Sequence, residues 1–262
     1  MSLARAALGL PLAGLYLLVC GPPRRIAQRF GSRFGRLTPV MFHRLLCAIL
    51  RVEVRRLGAA SAPGGRLVVA NHVSWLDIPA MGATEPLTFL AKKEIGGPWL
   101  GRQVADLQGV VYVDRQRKRL IPRVNADMAS AMERGEAVVL FAEATTGDGN
   151  RLLKFRSSHF EAARTAGACV QPAYLHFCRL DGFPLVSSDR PVVAWYGDMT
   201  FLPHLLAILR TGGVACDIHY GEPIRVGDFP DRKALARATE AAVRQLAEVA
   251  RRAPISQRRQ TR

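Results

Sequence analysis

A histidine and an aspartate stand five positions apart in the stretch NHVSWLD, residues 71–77. The apolar run LVVA precedes this stretch directly, so a strand is predicted to end where the polar residues begin. An imidazole that is hydrogen-bonded to a carboxylate can take a proton from an attacking hydroxyl and is stabilised as imidazolium. The spacing therefore identifies His72 as a candidate general base and Asp77 as its partner.

The two side chains can meet only if the backbone turns between them. On a continuous helix five residues rotate by about 500°, which would leave the side chains about 140° apart. A strand-to-helix turn removes this obstacle. It also permits a structural interpretation, with Ser74 as helix N-cap and Asp77 completing a capping box. The chain has no GxSxG nucleophile motif, which favours direct transfer without a covalent intermediate.

A second polar group follows the apolar run AVVLF, residues 137–141. Glu143 comes first, then a turn that contains Thr145 and Thr146, and then the cations Arg151, Lys154 and Arg156. Loops after strands carry the ligand contacts in α/β sheets. The alternative interpretation is an exposed GDGN turn with solvated basic residues.

Apolar runs of strand length predict the elements that position these residues. The runs lie at residues 66–70, 86–91, 109–113, 137–142, 169–175, 191–196 and 214–220, after an alternating segment at 50–58. Helical patterns occupy 119–135, 157–167 and 231–252. Buried strands that alternate with helices predict an α/β fold, with a mainly parallel or mixed sheet flanked by helices.

The N-terminal segment is apolar and is followed by arginines. The uncharged run Ala6–Cys20 is shorter than the roughly 20 residues that span a bilayer, and a second apolar patch lies at 40–50. These segments predict a helical membrane anchor on the cytoplasmic face of the inner membrane, which lies in or dips into one leaflet, and a helix that spans the bilayer is the open alternative. The predicted domains are 1–50 for this anchor, 51–252 for the α/β domain and 253–262 for a basic tail.

Composition limits the possible partners. Lys and Arg number 37 against 21 acidic residues, a formal charge of +16, which attracts polyanions such as anionic lipids or an acidic carrier protein. Nucleic acid is disfavoured because no RNA-binding, zinc-finger or interleaved aromatic pattern is present. Five scattered cysteines without CxxC spacing argue against a zinc site or a disulfide framework.

Four ordered sequence blocks resemble those of the glycerolipid acyltransferase family, the lysophosphatidic-acid acyltransferase-like enzymes. NHVSWLD matches the family's His-x4-Asp block, and residues 89–115 match the second block, with Lys93 and Arg115 in place. FAEATTGDGNRLLKFRSS matches the Phe-Pro-Glu-Gly-Thr block, and VQPAYL matches the final block. The blocks span roughly residues 66–180.

The resemblance implies acyl transfer from acyl carrier protein or coenzyme A to a lipid hydroxyl, without metal or cofactor. It implies His72 as general base, Asp77 as its partner and Glu143 as a residue that positions the acceptor. Lys93 and Arg115 would bind the acceptor head group or the phosphate of the donor, or else are surface charges.

Three departures from the third block bear on the acceptor. Ala142, Ala144 and Thr146 stand where the family has Pro, Gly and Arg. That Arg is the implied clamp for an acceptor phosphate, which Thr cannot replace. The sequence of this block resembles that of the branch that acylates lyso-ornithine lipid. The resemblance implies acceptor-binding candidates, which include Thr145, Thr146, Arg151 and Arg156. A lysophosphatidate acceptor and a catalytically degenerate lipid-binding member are the alternatives, and Ala144 is strained if its position needs a positive φ.

Overall fold

The computed structural model describes residues 2–30, 32–92, 111–113 and 118–252. The strands in this part of the chain are β1 (Val52–Gly58), β2 (Arg66–Ala70), β3 (Thr88–Lys92), β4 (Val111–Val113), β5 (Ala137–Phe141), β6 (Cys169–Leu180), β7 (Phe183–Pro184) and β8 (Val214–Tyr220). The helices are α1 (Ser2–Arg29), α2 (Arg33–Leu50), α3 (Asp77–Gly82), α4 (Ile121–Glu133), α5 (Phe160–Thr165), α6 (Arg190–Val193), α7 (Phe201–Arg210) and α8 (Arg232–Arg252).

The strands form one mixed sheet in the order β1-β8-β6-β2-β5-β3-β4, with β7 paired to the end of β6. Strands β4, β3, β5, β2 and β6 run parallel to one another, and β8 is antiparallel to β6. Strand β1 is parallel to β8 at the edge. Since β2 lies between β5 and β6, the segments that follow β2 and β5 emerge side by side at one edge of the sheet.

Both faces of the sheet are covered, which is why every residue of β2 and β5 is buried. Alternate side chains of β2 point into two different cores. Val68 and Ala70 pack with apolar residues of α2, α3 and α7, whereas Leu67 and Val69 pack with those of α4, α5 and α8. The predicted α/β class, with a mixed sheet flanked by helices, is confirmed.

The helix α3 carries Asp77 at its first position and is fixed from behind by α2. At Gly82, the last residue of α3, an added Cβ would lie 2.2 Å from a ring carbon of His43 in α2. Only glycine permits this approach. The His43 ring is buried, and burial lowers the pKa of its imidazole to about 4, so it packs as a neutral group.

The N-terminal helices α1 and α2 pack together through a small apolar cluster that includes Ala13, Leu17, Phe42 and Ile49. The opposite side of α1 is apolar as well and faces outward, with Leu8 78% and Val19 61% exposed. Within the described residues, no helix is both long enough and apolar enough to cross a bilayer.

One predicted strand is wrong. The run PVVAWY at 191–196 lies in α6 and the segment after it, and it joins no strand. Strands β2 and β8 already occupy both sides of β6, and Pro191 fits the first turn of a helix. The helix α7 was not predicted. The domain boundaries at 50 and 252 remain predictions, and the tail 253–262 lies outside the described residues.

Candidate active site

The site begins where β2 leaves the sheet. The ladder between β2 and β6 ends at Ala70 and Ala173. The buried Asn71 side chain then continues the pairing, because its Nδ2 donates to the carbonyl of Leu175 at 3.2 Å and its Oδ1 accepts from the Leu175 amide at 2.8 Å. The side chain thus takes over the hydrogen bonds that the backbone would have made, so the backbone is free to turn at the next residue.

That turn brings the predicted pair together. His72 Nδ1 lies 2.7 Å from Asp77 Oδ2, and the same carboxylate oxygen accepts from the backbone amides of Val73 at 2.7 Å and Ser74 at 3.0 Å. The Asp77 side chain is fully buried. Three hydrogen-bonding contacts on one oxygen fix the orientation of this carboxylate and hold the imidazole against it.

The contact also fixes the tautomer of the imidazole. A carboxylate can only accept, so the hydrogen is on Nδ1, and Nε2 is left as the proton-accepting nitrogen. One face of the ring stacks on Phe141 at the end of β5, with centroids 4.1 Å apart and planes 10° apart. The ring is therefore oriented by contacts at one nitrogen and on one face.

The helix start differs from the predicted capping box in one half. Asp77 accepts from the Ser74 amide as the box requires, but the helix begins at Asp77 rather than after Ser74. Ser74 Oγ is buried without a hydrogen-bond partner in the described part of the chain. Asp77 thus holds the turn and the imidazole together, and the two interpretations of this residue coexist.

Glu143 ties the loop after β5 to the turn after β2. Its Oε2 accepts from the His72 amide at 3.0 Å and its Oε1 accepts from the Leu153 amide at 2.9 Å. The Gly147 amide donates to the His72 carbonyl at 2.9 Å, so both backbone groups of His72 are bound by this loop. Glu143 is only 5% exposed, and burial raises the pKa of its carboxyl to about 7.

The other residues predicted for the site differ in exposure and in whether they line the recess beside His72. Ala144 adopts a φ of 61°, the left-handed conformation that glycine favours. Thr145 is exposed and Thr146 is half-buried in the same loop. Arg151 lines the recess beside His72, whereas the exposed Arg156 is fixed through its amide, which donates to the Ala142 carbonyl at 2.8 Å. Lys93 and Arg115 lie outside the described residues.

The recess at His72 contains residues that the sequence patterns did not indicate. Its lining consists of Asn71, His72, Val73, Glu143, Gly147, Gly149, Arg151, Leu152, Tyr174 and Arg251. Arg251 comes from the last turn of α8 and donates to the Asn150 carbonyl at 2.9 Å. Arg190, at the start of α6, packs against Gly149. Asn71 could have been suspected as a neighbour of His72, but no local signal marks the two arginines.

The arrangement suits proton abstraction from a hydroxyl in a recess that also carries positive charge. Among the described residues, no group of three or more His, Cys, Asp or Glu side chains is placed to hold a metal ion. The acidic and imidazole groups of the site are instead hydrogen-bonded to one another and to backbone amides.

The known proteins to which this chain is similar are acyltransferases. The family model described as Acyltransferase matches residues 51–176. A lyso-ornithine lipid O-acyltransferase from Brucella abortus is 37% identical over 236 residues, covering 87% of this chain and 88% of the relative. A 1-acyl-sn-glycerol-3-phosphate acyltransferase from Neisseria gonorrhoeae is 42% identical over 120 residues, covering 45% of this chain and 47% of the relative.

The fold also has a solved counterpart. The crystal structure of the 1-acyl-sn-glycerophosphate acyltransferase PlsC from Thermotoga maritima aligns with a TM-score of 0.65, covering 96% of this chain and 98% of the other. At 16% identity this likeness concerns the fold alone. The relatives of higher identity establish that the chain is an acyltransferase and belongs to the acyltransferase family, in the branch that includes the lyso-ornithine lipid O-acyltransferases.

Proposed function

We propose that this enzyme transfers a fatty acyl group from a thioester donor, acyl carrier protein or acyl-coenzyme A, to the hydroxyl of lyso-ornithine lipid, with His72 as general base. The observation that carries the proposal is the 2.7 Å contact between His72 Nδ1 and the buried Asp77 carboxylate, which leaves Nε2 of a fixed imidazole as the nitrogen that accepts a proton. The backbone clamps from Glu143 and Gly147 support it, because they hold the ring in place without using Nε2.

The reaction needs one proton moved twice. Nε2 of His72 accepts the proton of the acceptor hydroxyl while its oxygen attacks the thioester carbonyl carbon, so a C–O bond forms. The C–S bond then breaks, and the departing thiolate takes the proton back from the imidazolium. Asp77 stabilises the imidazolium between these steps. The groups of the chain account for every proton in this scheme, and it requires no cofactor.

Two observations support lyso-ornithine lipid as the acceptor. The Brucella abortus relative that bears this activity in its name is similar over 87% of the chain. Thr146 occupies the position where the phosphate-directed arginine of the family is expected, and threonine cannot form a bidentate pair with phosphate. The zwitterionic head group of lyso-ornithine lipid carries a carboxylate and an ammonium in place of that phosphate.

The enzyme is proposed to act at the cytoplasmic face of the inner membrane. The exposed apolar side of α1 suits the interior of one leaflet, and the excess of basic residues suits anionic lipid head groups. The same charge suits an acidic carrier protein as donor partner. Lys93 and Arg115 remain candidates for binding the acceptor head group or the donor phosphate.

A second function has support of its own. The Neisseria gonorrhoeae relative is a 1-acyl-sn-glycerol-3-phosphate acyltransferase and is 42% identical over its matched part. Arg151 lines the recess and offers a guanidinium for a phosphate. Formation of phosphatidic acid is therefore the alternative reaction.

The test presents membranes containing the protein with a labelled acyl donor and each acceptor in turn, lyso-ornithine lipid and lysophosphatidate. His72→Ala and Asp77→Asn are compared with wild type, and Arg237→Gln, an exposed substitution on α8, is the control. We expect label in ornithine lipid, reduced about 10³-fold or more by His72→Ala and Asp77→Asn, with Arg237→Gln unchanged. Asp77→Asn keeps the shape of the side chain and removes its charge, so a loss of activity in this variant reports the electrostatic role of Asp77.

Label that appears only in phosphatidic acid establishes the alternative reaction. Full activity in His72→Ala refutes the general-base assignment. Absence of label with either acceptor and either donor favours a catalytically degenerate member of the family.

A further inference from the structure

Arg190 stands out because its guanidinium lies beside the site and forms no ion pair with the described residues. Its Nε is buried and has no hydrogen-bond partner in the described part of the chain, and no carboxylate of that part forms an ion pair with it. A Cβ built on Gly149 would lie 3.0 Å from Arg190 Nη1 and 3.1 Å from a methyl carbon of Val73. The guanidinium therefore packs on the glycine that lines the recess next to His72.

A second guanidinium reaches the same turn from a different element. Arg251 in α8 uses Nη2 to donate to the Asn150 carbonyl, and its side chain lines the recess. Gly149 has a φ of 75°, so a side chain at this position is strained as well as excluded by Arg190 and Val73. Because Gly149 has no side chain, the guanidinium of Arg190 can lie against it, while the guanidinium of Arg251 contacts the next residue, Asn150. Two arginines that are distant in sequence therefore contact the same turn.

The turn also carries one negative charge. Asp148 accepts from the side chain and the amide of Asn150, and these bonds lower the pKa of its carboxyl, so it is ionised at neutral pH. The short segment 148–150 thus carries a carboxylate and is contacted by the guanidinium groups of Arg190 and Arg251. A zwitterion has the complementary charges, whereas a phosphate monoester would face Asp148 with a like charge.

We propose that Arg190 and Arg251 bind the carboxylate of the zwitterionic acceptor head group, with Asp148 facing its ammonium. This inference rests on the proposed lyso-ornithine lipid acceptor. It moves the anion-binding role from the position of Thr146 to two arginines outside the third sequence block. A guanidinium binds a carboxylate through two parallel N–H···O bonds, and Arg190 has a buried donor available for such a bond. The specificity of the enzyme for its acceptor then resides in α6 and α8.

The experiment measures kcat/KM for lyso-ornithine lipid and for its carboxylate methyl ester, with one acyl donor. In wild type we expect the free acid to be preferred by about 10- to 100-fold, as charge-assisted hydrogen bonds predict. In Arg190→Gln this preference should fall about 10-fold, and in the double variant Arg190→Gln/Arg251→Gln it should approach unity. The loss should reside in KM for the acceptor, with KM for the donor unchanged.

Controls separate binding from folding and location. Arg237→Gln lies on α8 14 residues before Arg251, about 21 Å along the helix, and should keep the full preference. Arg190→Lys keeps the positive charge but not the two parallel donors of the guanidinium. Its preference for the free acid should lie between those of wild type and Arg190→Gln. Circular dichroism and melting temperature verify that each variant is folded.

The outcomes separate the two proposals. Ornithine lipid formation with an unchanged preference in Arg190→Gln overturns this inference alone, as does an increase in KM for the donor instead of the acceptor. A wild type that acylates only lysophosphatidate overturns both. If turnover is absent, binding of the acid and the ester to His72→Ala, followed by tryptophan fluorescence, gives the same ratio: a preference lost in His72→Ala/Arg190→Gln supports the inference, and an unaffected ratio overturns it.

Discussion

At the scale of single residues, His72 is restrained at four of its groups. Glu143 accepts from its amide, Gly147 donates to its carbonyl, Asp77 holds Nδ1 and Phe141 covers one ring face. In the proposed role of general base, an imidazole that is already oriented loses little rotational freedom when the acceptor binds, so less of the binding energy is spent on ordering. The burial that makes this possible also places a second ionisable group, Glu143, in an environment that disfavours its charge.

The raised pKa of Glu143 makes stability depend on pH. Its pKa is about 7 in the folded chain and ordinarily 4.5, so the folded state binds the proton more tightly than the unfolded state. The contribution to the free energy of unfolding is complete below about pH 4.5 and is lost as pH rises through about 7. The free energy of wild type minus that of Glu143→Gln, from urea titrations, should fall between pH 5 and 8. A difference that stays constant across this range contradicts the assignment.

Ala144 provides a prediction about backbone strain. An L-residue at φ of 61° costs roughly 1–2 kcal/mol, and glycine removes this cost at the expense of greater freedom in the unfolded chain. Because Ala144 is exposed, its substitution opens no cavity. Ala144→Gly should therefore raise the free energy of unfolding by about 0.5–1 kcal/mol, measured by denaturant titration. The half-buried Ala166, with φ of −78°, is the control, and Ala166→Gly should lower it by a similar amount.

At the scale of elements, α6 and α7 brace the turn that carries His72. The Trp195 amide, just after α6, donates to the Val73 carbonyl at 2.9 Å. The Trp75 indole donates from Nε1 to His204 Nδ1 at 3.0 Å, and His204 Nε2 lies 3.1 Å from the Ala194 carbonyl. The turn is thus bound by the loop after β5 on one side and by this helical segment on the other.

This brace predicts an energetic coupling between the turn that carries His72 and the helix α7. Trp75→Phe leaves the buried His204 Nδ1 without its donor, and His204→Leu leaves the indole without its acceptor, so each should destabilise the fold by about 1–3 kcal/mol. The double variant removes both partners and should cost about 1 kcal/mol less than the sum of the single variants. Denaturant titration of the four proteins measures the coupling. Strict additivity would show that the hydrogen bond contributes nothing to holding the turn.

At the scale of the whole molecule, sequence patterns predicted the strands of the sheet more completely than the residues of the site. Strands such as β2 and β5 are buried on both faces and are therefore uninterrupted apolar runs, which are easily recognised. The run at 191–196 is also apolar, but its first residues form the helix α6, with Pro191 in the first helical turn. The contact of His72 with Asp77 followed from spacing, whereas Phe141, Arg190 and Arg251 reach the site only through strand order and helix packing.

The exposed apolar side of α1 predicts how the molecule binds lipid. Replacing Leu8, Leu15 and Val19 by Gln removes three exposed apolar side chains while leaving the packed side of α1 intact. At roughly 1.5–3 kcal/mol for each buried side chain, the partition into vesicles should fall by a factor of about 10³ or more. Co-sedimentation with vesicles containing anionic lipid measures this effect. Val249→Gln, on the exposed face of α8, is the control and should bind as wild type does.

The pairing of β1 with β8 has a consequence for the order of events during synthesis. Val52 and Val214, which are partners in the edge ladder, are far apart in the chain, so the ribosome must add more than half of the sequence before this ladder can form. The helices α1 and α2 precede β1 and need each other for their shared apolar cluster. Since the N-terminal part of a chain emerges first, the helices α1 and α2 leave the ribosome well before the sheet is complete. For the proposed membrane-bound enzyme, the apolar side of α1 is thus available to a bilayer before the turn that carries His72 is assembled.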